Sequence, residues 1–249
     1  MKYALSILTA LVFLSCGGDE DRQENLFKLR GLGAASNPLV SLPSVDPAAP
    51  SKVELTVYVA LPLGETATVE PFEDTTSPII ANLSVSDIAI DPASMVYQDY
   101  PGFQILTFKA SLNVPVATRF FRTKGAGQAK YGFLIKSGTE VEKLVGNFLV
   151  YPDGSPELNY LSPEVSLVTP TEGLSLKSAS DVDLTATLVD KNDEDLKLGW
   201  FASGGKVKNR RAKSTTWETP GVGDHTVIFT ARGKKSRGFV MQIIKVKVE

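Results

Sequence analysis

The chain of 249 residues has one cysteine, one histidine and two tryptophans. A single cysteine excludes an internal disulfide and any multi-cysteine metal site. A single histidine, His225, excludes a His-Glu-x-x-His metal motif and any multi-histidine zinc site. No Gly-x-Ser-x-Gly elbow is present, so serine–histidine chemistry would have to recruit that one imidazole. Net charge is only -2, and no long basic run appears, so nucleic acid is not an expected partner. The charge is unevenly spread. Residues 166–249 hold 14 Lys and Arg against 10 Asp and Glu, whereas residues 1–165 hold 12 against 18. No segment after the first fifteen residues is both long and apolar, and none shows a persuasive helical period.

What is present starts with the N-terminus. Met1-Lys2-Tyr3 precedes an uncharged run from Ala4 to Leu14, and Ser15-Cys16-Gly17-Gly18 follows. This is a charged start, an apolar stretch and a small residue at a cut site. Eleven residues would span ~17 Å as a helix, short of the ~30 Å hydrocarbon core of a bilayer. Phe13-Leu14-Ser15-Cys16 resembles the lipobox of bacterial lipoproteins, with Phe13 departing from the usual aliphatic residue. That resemblance implies cleavage after residue 15, acylation of Cys16, a durable multi-chain anchor and no free thiol. Gly17 rather than Asp follows the cysteine, which in similar lipoproteins implies delivery to the outer membrane.

Residues 16–50 combine Gly17-Gly18-Asp19-Glu20-Asp21 with Pro38, Pro43, Pro47 and Pro50. The composition predicts a flexible tether of about 30 residues. Gly31-Leu32-Gly33-Ala34-Ala35-Ser36 has the glycines of a dinucleotide loop but neither the preceding strand nor the following helix.

From residue 51 onward the pattern is that of strands. Val53, Leu55, Val57, Val59 and Leu61 alternate with Glu54, Thr56, Tyr58 and Ala60. Further strands are expected at 83–90, 103–114, 118–123, 130–136 and 141–151, with a hairpin turn at 124–128. Strands at about ten-residue spacing, punctuated by Gly, Pro and Asp, imply a β-sandwich over 51–163. Tyr97, Tyr100 and Phe103 flank polar residues in an aromatic turn. Such a turn either covers the end of a sandwich or presents a surface for glycan or protein.

A second sandwich is expected over 164–249. Its strands cover 165–169, 182–190, 196–200, 216–219, 225–231 and 239–248. Trp200 follows an acidic loop, Trp217 precedes Pro220-Gly221, and His225-Thr226-Val227 comes next. This order is similar to PKD-type and bacterial immunoglobulin-like domains, which implies an all-β fold and buries Trp200. His225 stands where that pattern has a corner tyrosine, and a ring N–H can make the same bond to backbone upstream.

Two charged features remain. Asp190, Asn192, Asp193 and Asp195 lie in one short loop, which is either a solvated acidic turn or a set of hard oxygen ligands for calcium. Arg210, Arg211, Lys234, Lys235 and Arg237 lie in basic loops. They either pair with that acidic loop or face an anionic envelope polymer or acidic partner. The expected protein is all-β, with two tandem immunoglobulin-like sandwiches after a signal peptide and tether. Its expected role is non-enzymatic recognition or adhesion at the outer membrane, with protein or glycan bound through loops. The alternatives are an assembly lipoprotein and, less favoured, a glycoside hydrolase using two carboxylates.

Overall fold

A computed structural model describes residues 26–46, 48–74, 81–114 and 127–249. The expected signal peptide, Cys16, and the expected strand at 118–123 lie outside the described residues, as does most of the turn after it.

The first sandwich contains β1 (Arg30–Asn37), β2 (Val40–Ser41), β3 (Lys52–Pro62), β4 (Thr68–Pro71), β5 (Ala81–Asn82), β6 (Ile88–Tyr100), β7 (Phe103–Asn113), β8 (Gln128–Ser137) and β9 (Glu140–Val150). One sheet has the order β1-β3-β7-β6. The other has β2-β9-β8-β4, with β5 also on β8. The second sandwich contains β10 (Glu164–Thr169), β11 (Ser175–Leu176), β12 (Asp181–Val189), β13 (Leu196–Ala202), β14 (Lys206–Val207), β15 (Ser214–Glu218), β16 (Gly223–Gly233) and β17 (Phe239–Val248). Its sheets are β10-β12-β15-β14 and β11-β17-β16-β13.

The two orders are the same. Each sandwich opens with a strand on one sheet, meets a proline (Pro38 or Pro170), and continues as a two-residue strand on the other sheet. Proline lacks the amide that the first ladder needs, so the chain leaves that sheet there. The short strand then pairs in parallel with the last strand, β2 with β9 and β11 with β17. In letters, both halves read A-B-E-D against A′-G-F-C, the immunoglobulin arrangement.

Period two explains the cores. In β3, Val53, Leu55, Val57, Val59 and Leu61 are all buried, and they pack on Leu106, Phe108, Leu112, Phe133 and Phe148. In the second sandwich Leu184, Trp200, Trp217, Val227, Phe229 and Val246 fill the space between sheets. Both indoles are fully buried, and each N–H finds a carbonyl at 2.9 Å: Ala212 for Trp200 and Gly204 for Trp217. A buried indole needs such an acceptor.

The expected tether over 16–50 requires correction. Residues 30–37 form the first strand of the first sandwich, paired along β3 from Arg30↔Ala60 to Asn37↔Glu54. Leu26, Leu29 and Leu32 are buried. The strand was hidden because Gly31 and Gly33 break its alternation. Glycine is favoured at Gly33, where a Cβ would collide with the Phe239 ring at a positive φ, while a Cβ on Gly31 would push aside the end of the Leu144 side chain.

The expected strand at 83–90 also divides. Asp87 Oδ2 accepts the Ser84 amide at 3.0 Å and its hydroxyl at 2.7 Å, closing a 3-10 turn over Val85–Asp87 before β6 starts. Asp91-Pro92 does not end β6. It opens a bulge between Asp91 and Val96, where the Ser94 hydroxyl replaces a ladder partner by accepting the Lys109 amide at 2.7 Å.

Candidate functional site

The sandwiches meet through a third apolar cluster. Leu26, Leu32, Ala60, Tyr100, Phe103 and Ile105 come from the first, and Ile228 with Phe201, Met241 and Ile243 from the second. Tyr58 stacks on Phe239 at 6.0 Å, and Lys245 Nζ lies 5.2 Å from the centre of the Tyr100 ring. Of the two readings of the aromatic turn, Tyr100 and Phe103 take the covering one: they close the end of the first sandwich as part of the junction and do not present a binding surface. Phe103 is fully buried, Tyr100 nearly so, and burial pushes the Tyr100 hydroxyl pKa up, with Glu172 adding to the effect. Tyr97 packs on the first core, and its hydroxyl accepts the Ala67 amide at 3.1 Å. Desolvating two rings against a second sandwich is more favourable than leaving them in water.

Arg237 needs the same correction. Its guanidinium is not displayed outward. It donates to Gln128 Oε1 at 3.3 Å across the junction, and Arg232 donates to Asn147 Oδ1 at 2.9 Å. The Asn147 amide in turn donates to Gln128. Neither Arg232 Nε nor Arg237 Nε has an acceptor, and both are buried. Burial, followed by the neighbouring Arg232, lowers the Arg237 pKa.

Beside this junction is a cleft of about 910 Å³. Gly31, Leu32, Gly33, Ala34 and Leu144 line it from the first sandwich. From the second come six cations: Lys197, Lys206, Lys208, Arg210, Arg211 and Arg232. No Asp or Glu is among the lining residues. Local structure explains the clustering. Lys197 is an exposed position of β13, Lys206 opens β14, and Asn209-Arg210-Arg211 turns back along the free edge of β13. That turn is fixed by three backbone bonds. The Trp200 amide donates to the Arg210 carbonyl at 3.0 Å, the Asn209 amide to Thr215 Oγ1 at 2.8 Å, and the Arg211 amide to Asn209 Oδ1 at 3.3 Å.

Several of these cations have partners of their own: Arg232 donates to Asn147, and Lys208 Nζ lies 2.6 Å from Asp181, a hydrogen bond that raises the Lys208 pKa. At the cleft margin Arg30 is buried and its Nη1 has no acceptor. Burial lowers its pKa; Glu142 and Glu140 oppose this, and Arg210 adds to it. A concave surface whose lining charges are cationic focuses potential toward anions, here moderated by Glu142 on the Gly31 amide.

The acidic loop is not built as a cation site. Asp190 Oδ1 accepts the Asn192 amide at 3.0 Å and its Oδ2 the Glu194 amide at 2.5 Å. Asn192 binds the backbone of Leu161 in both directions. Asp195 pairs with Lys234 at 3.0 Å, and Asp193 occupies a left-handed turn position. The oxygens serve amides and a lysine instead of converging, and no group of three or more His, Cys, Asp or Glu able to hold a metal occurs among the described residues.

The sequence reading passed over Glu194, the loop's buried member. Its carboxylate accepts the Lys235 amide at 2.5 Å, the Ser236 amide at 3.0 Å and the Asn192 side chain at 2.9 Å. Burial alone would raise its pKa, but the hydrogen bonds from Ser236, Asn192 and Lys235 together outweigh burial and hold it below the usual carboxylate value. Lys234 and Lys235 thus belong to a hairpin clamped on the acidic loop, while Arg210 and Arg211 line the cleft.

His225 Nε2 lies 2.9 Å from the Gly221 carbonyl, four residues upstream, so the ring nitrogen donates and the corner is structural. Ser203-Gly204-Gly205-Lys206 has the spacing of a Ser-x-x-Lys nucleophile pair, but Ser203 Oγ is buried and accepts the Thr226 amide at 2.9 Å. It ties two strands together.

Comparison with protein-family models gives no match, and neither does comparison with curated proteins. Among solved structures the chain is similar to the N-terminal Ig1-2 module of the Drosophila receptor protein tyrosine phosphatase DLAR, at 10% identity and TM-score 0.34, over 89% of this chain and 99% of that one. It is also similar to fibronectin(III)-like modules of Clostridium thermocellum CbhA, at 13% identity and TM-score 0.33, over 87% and 94%. A third is titin Z1Z2 in complex with telethonin, at 11% identity and TM-score 0.26, over 89% and 96%. The assignment to tandem immunoglobulin-like sandwiches rests on the strand order of each half.

Proposed function

We propose that this chain is a non-enzymatic bacterial envelope lipoprotein, acylated at Cys16, whose joined sandwiches recognise an anionic ligand in the junction cleft. Support for the anchor comes from the first sixteen residues, and support for recognition from one observation: six cations and no Asp or Glu among the residues that line a single concavity, with Glu142 behind its wall on the Gly31 amide. The tethering role once given to residues 16–50 falls to the residues before Leu26. An assembly role by strand addition has less support, because the long edge strand β6 carries Pro92 and a bulge, both of which blunt an edge.

The full chain in zwitterionic micelles should bind sulfated dextran with an affinity that falls steeply as salt rises. Lys197→Glu together with Arg211→Glu should weaken binding by at least about tenfold, since each reversal replaces attraction by repulsion. Salt-independent binding, or none, would remove the cleft from the function. Cys16→Ala should move the protein from the membrane fraction to the soluble one; an unchanged membrane fraction would contradict acylation.

A further inference from the structure

The cations of the cleft are not equally committed. Lys208 pairs with Asp181, Arg232 donates to Asn147, and Arg210 has a partner of its own. Lys197, Lys206 and Arg211 are exposed and have no ion pair among the described residues. Lys206 stands opposite Glu218 in the ladder between β14 and β15, which leaves Lys197 and Arg211 the least compensated.

The chain enters the fold beside these groups. Leu26, the first described residue, is fully buried in the junction cluster. Leu32 of that cluster, and Phe201 packed against it, also line the cleft. A turn at 26–28 precedes β1, so the residues before Leu26 need not follow the line of that strand.

Those preceding residues are acidic. Residues 17–25 hold Asp19, Glu20, Asp21 and Glu24 against Arg22 alone, a net charge of -3. Five peptide units join Asp21 to Leu26 and seven join Asp19 to it, reaches of up to ~17 and ~24 Å. A group held on so short a connection has an effective concentration in the millimolar range. Exposed ion pairs are weak one at a time, but at that concentration several together are populated.

We infer that the acidic segment Asp19–Glu24 docks in the junction cleft against Lys197, Lys206 and Arg211, and that an external anion must displace it. The inference rests on the cationic cleft of the proposed reading and adds a regulation of that site. The chain supplies its own competitor, so only a ligand of higher charge density gains entry. Two other lysines lie near the entry point and serve as controls: Lys28 in the turn, and Lys245 over the Tyr100 ring of the same cluster.

The test uses the full chain in zwitterionic micelles, carbodiimide cross-linking and mass spectrometry of the digest. Carbodiimide joins a carboxylate to a lysine amine already in contact with it. Links from Asp19, Glu20, Asp21 or Glu24 to Lys197 or Lys206 are expected at low salt. They should fall as salt rises, and sulfated dextran should suppress them. Links confined to Lys28 or Lys245, or no links, overturn the inference. In a second measurement Asp19→Asn, Glu20→Gln, Asp21→Asn and Glu24→Gln together should tighten dextran binding about threefold or more. Threefold is the gain when a cleft open one third of the time becomes open always. The gain should vanish when Lys197→Glu and Arg211→Glu are also present. A gain that persists there is long-range repulsion and overturns the docked segment. Dextran binding without links to Lys197 or Lys206 overturns the docked segment and leaves the anionic cleft in place. Links to Lys197 or Lys206 without dextran binding keep the docked segment and remove the recognition reading. Neither links nor dextran binding overturns both.

Discussion

The second sandwich is built around two fully buried tryptophans, Trp200 on β13 and Trp217 on β15, whereas the first has no tryptophan and fills the same space with Phe108, Tyr131, Phe133 and Phe148. Phe108 and Phe133 meet edge to face at 5.4 Å, and Trp200 lies 4.6 Å from Phe229. The strand order is the same in both. What differs is how each core is fastened. The indoles are bonded to backbone on the connections that flank β14, so the core and the 203–212 segment hold each other in place. The first sandwich relies on ring contacts and on the Tyr97 hydroxyl at the Ala67 amide, and its strand β4, the counterpart of β13, is four residues long against seven. The longer, better fastened edge strand of the second half is the one that carries the cleft. One topology thus supports a plain sandwich in one half and a cleft-lining edge in the other, because the fold does not by itself decide where a concavity forms.

The comparison breaks most readily at Trp200. Trp200→Ala should lower the stability of the second sandwich by about 3–5 kcal/mol, through lost burial, a cavity and an orphaned Ala212 carbonyl. Thermal unfolding should show that loss in the second sandwich's transition, with the first sandwich's transition little changed. If the second transition does not move, the indoles do not carry that core.

Gly33 joins the two halves and should have the next effect. Gly33→Val must displace the Phe239 ring and give a side chain to a left-handed backbone position, at a cost of about 1–3 kcal/mol of overpacking. Small-angle scattering should then report a larger radius of gyration as the sandwiches part. An unchanged radius would mean that the Arg232 and Arg237 bonds hold the junction without it.

Glu194→Gln should cost about 2 kcal/mol at neutral pH, the scale of hydrogen bonds to a charged group. The carboxyl is held below its usual value in the folded chain. Its contribution is therefore complete above the ordinary carboxylate range and is lost as pH falls through the lower folded value. Melting temperatures of the two proteins should converge in that acid range. A difference independent of pH would assign the effect to packing. Asp195→Asn, by contrast, should leave the melting temperature unchanged, since its pair with Lys234 is 81% exposed on the acidic side.

Most strands were legible because they are half-buried and alternate strictly. The runs at 53–61, 182–189 and 239–248 are all strands in the structure. Trp200 was read as core and is core. The first strand was not legible. Glycines at 31 and 33 remove the alternation, and their reason is a contact with Leu144 and Phe239, more than a hundred residues away. The aromatic turn was legible only as a choice between covering a sandwich end and presenting a surface, and the second sandwich packed on Tyr100 and Phe103 decides it. Arg210 and Arg211 were among the expected binding residues and line the cleft, but Lys197, Lys206, Lys208 and Arg232 were not named. They are scattered over 36 residues with no motif, and no period in the sequence joins them.

By itself the sequence determined the all-β class, the two-sandwich plan and which faces of most strands are buried, because period-two alternation is a local property that the pleat converts directly into an inside and an outside. Tertiary structure alone decided where the sandwiches touch, that the acidic loop clamps a hairpin through Glu194, and that six separated cations line one cleft. Those outcomes depend on long-range distances, and a linear pattern of polarity carries no information about which distant residues the fold brings together.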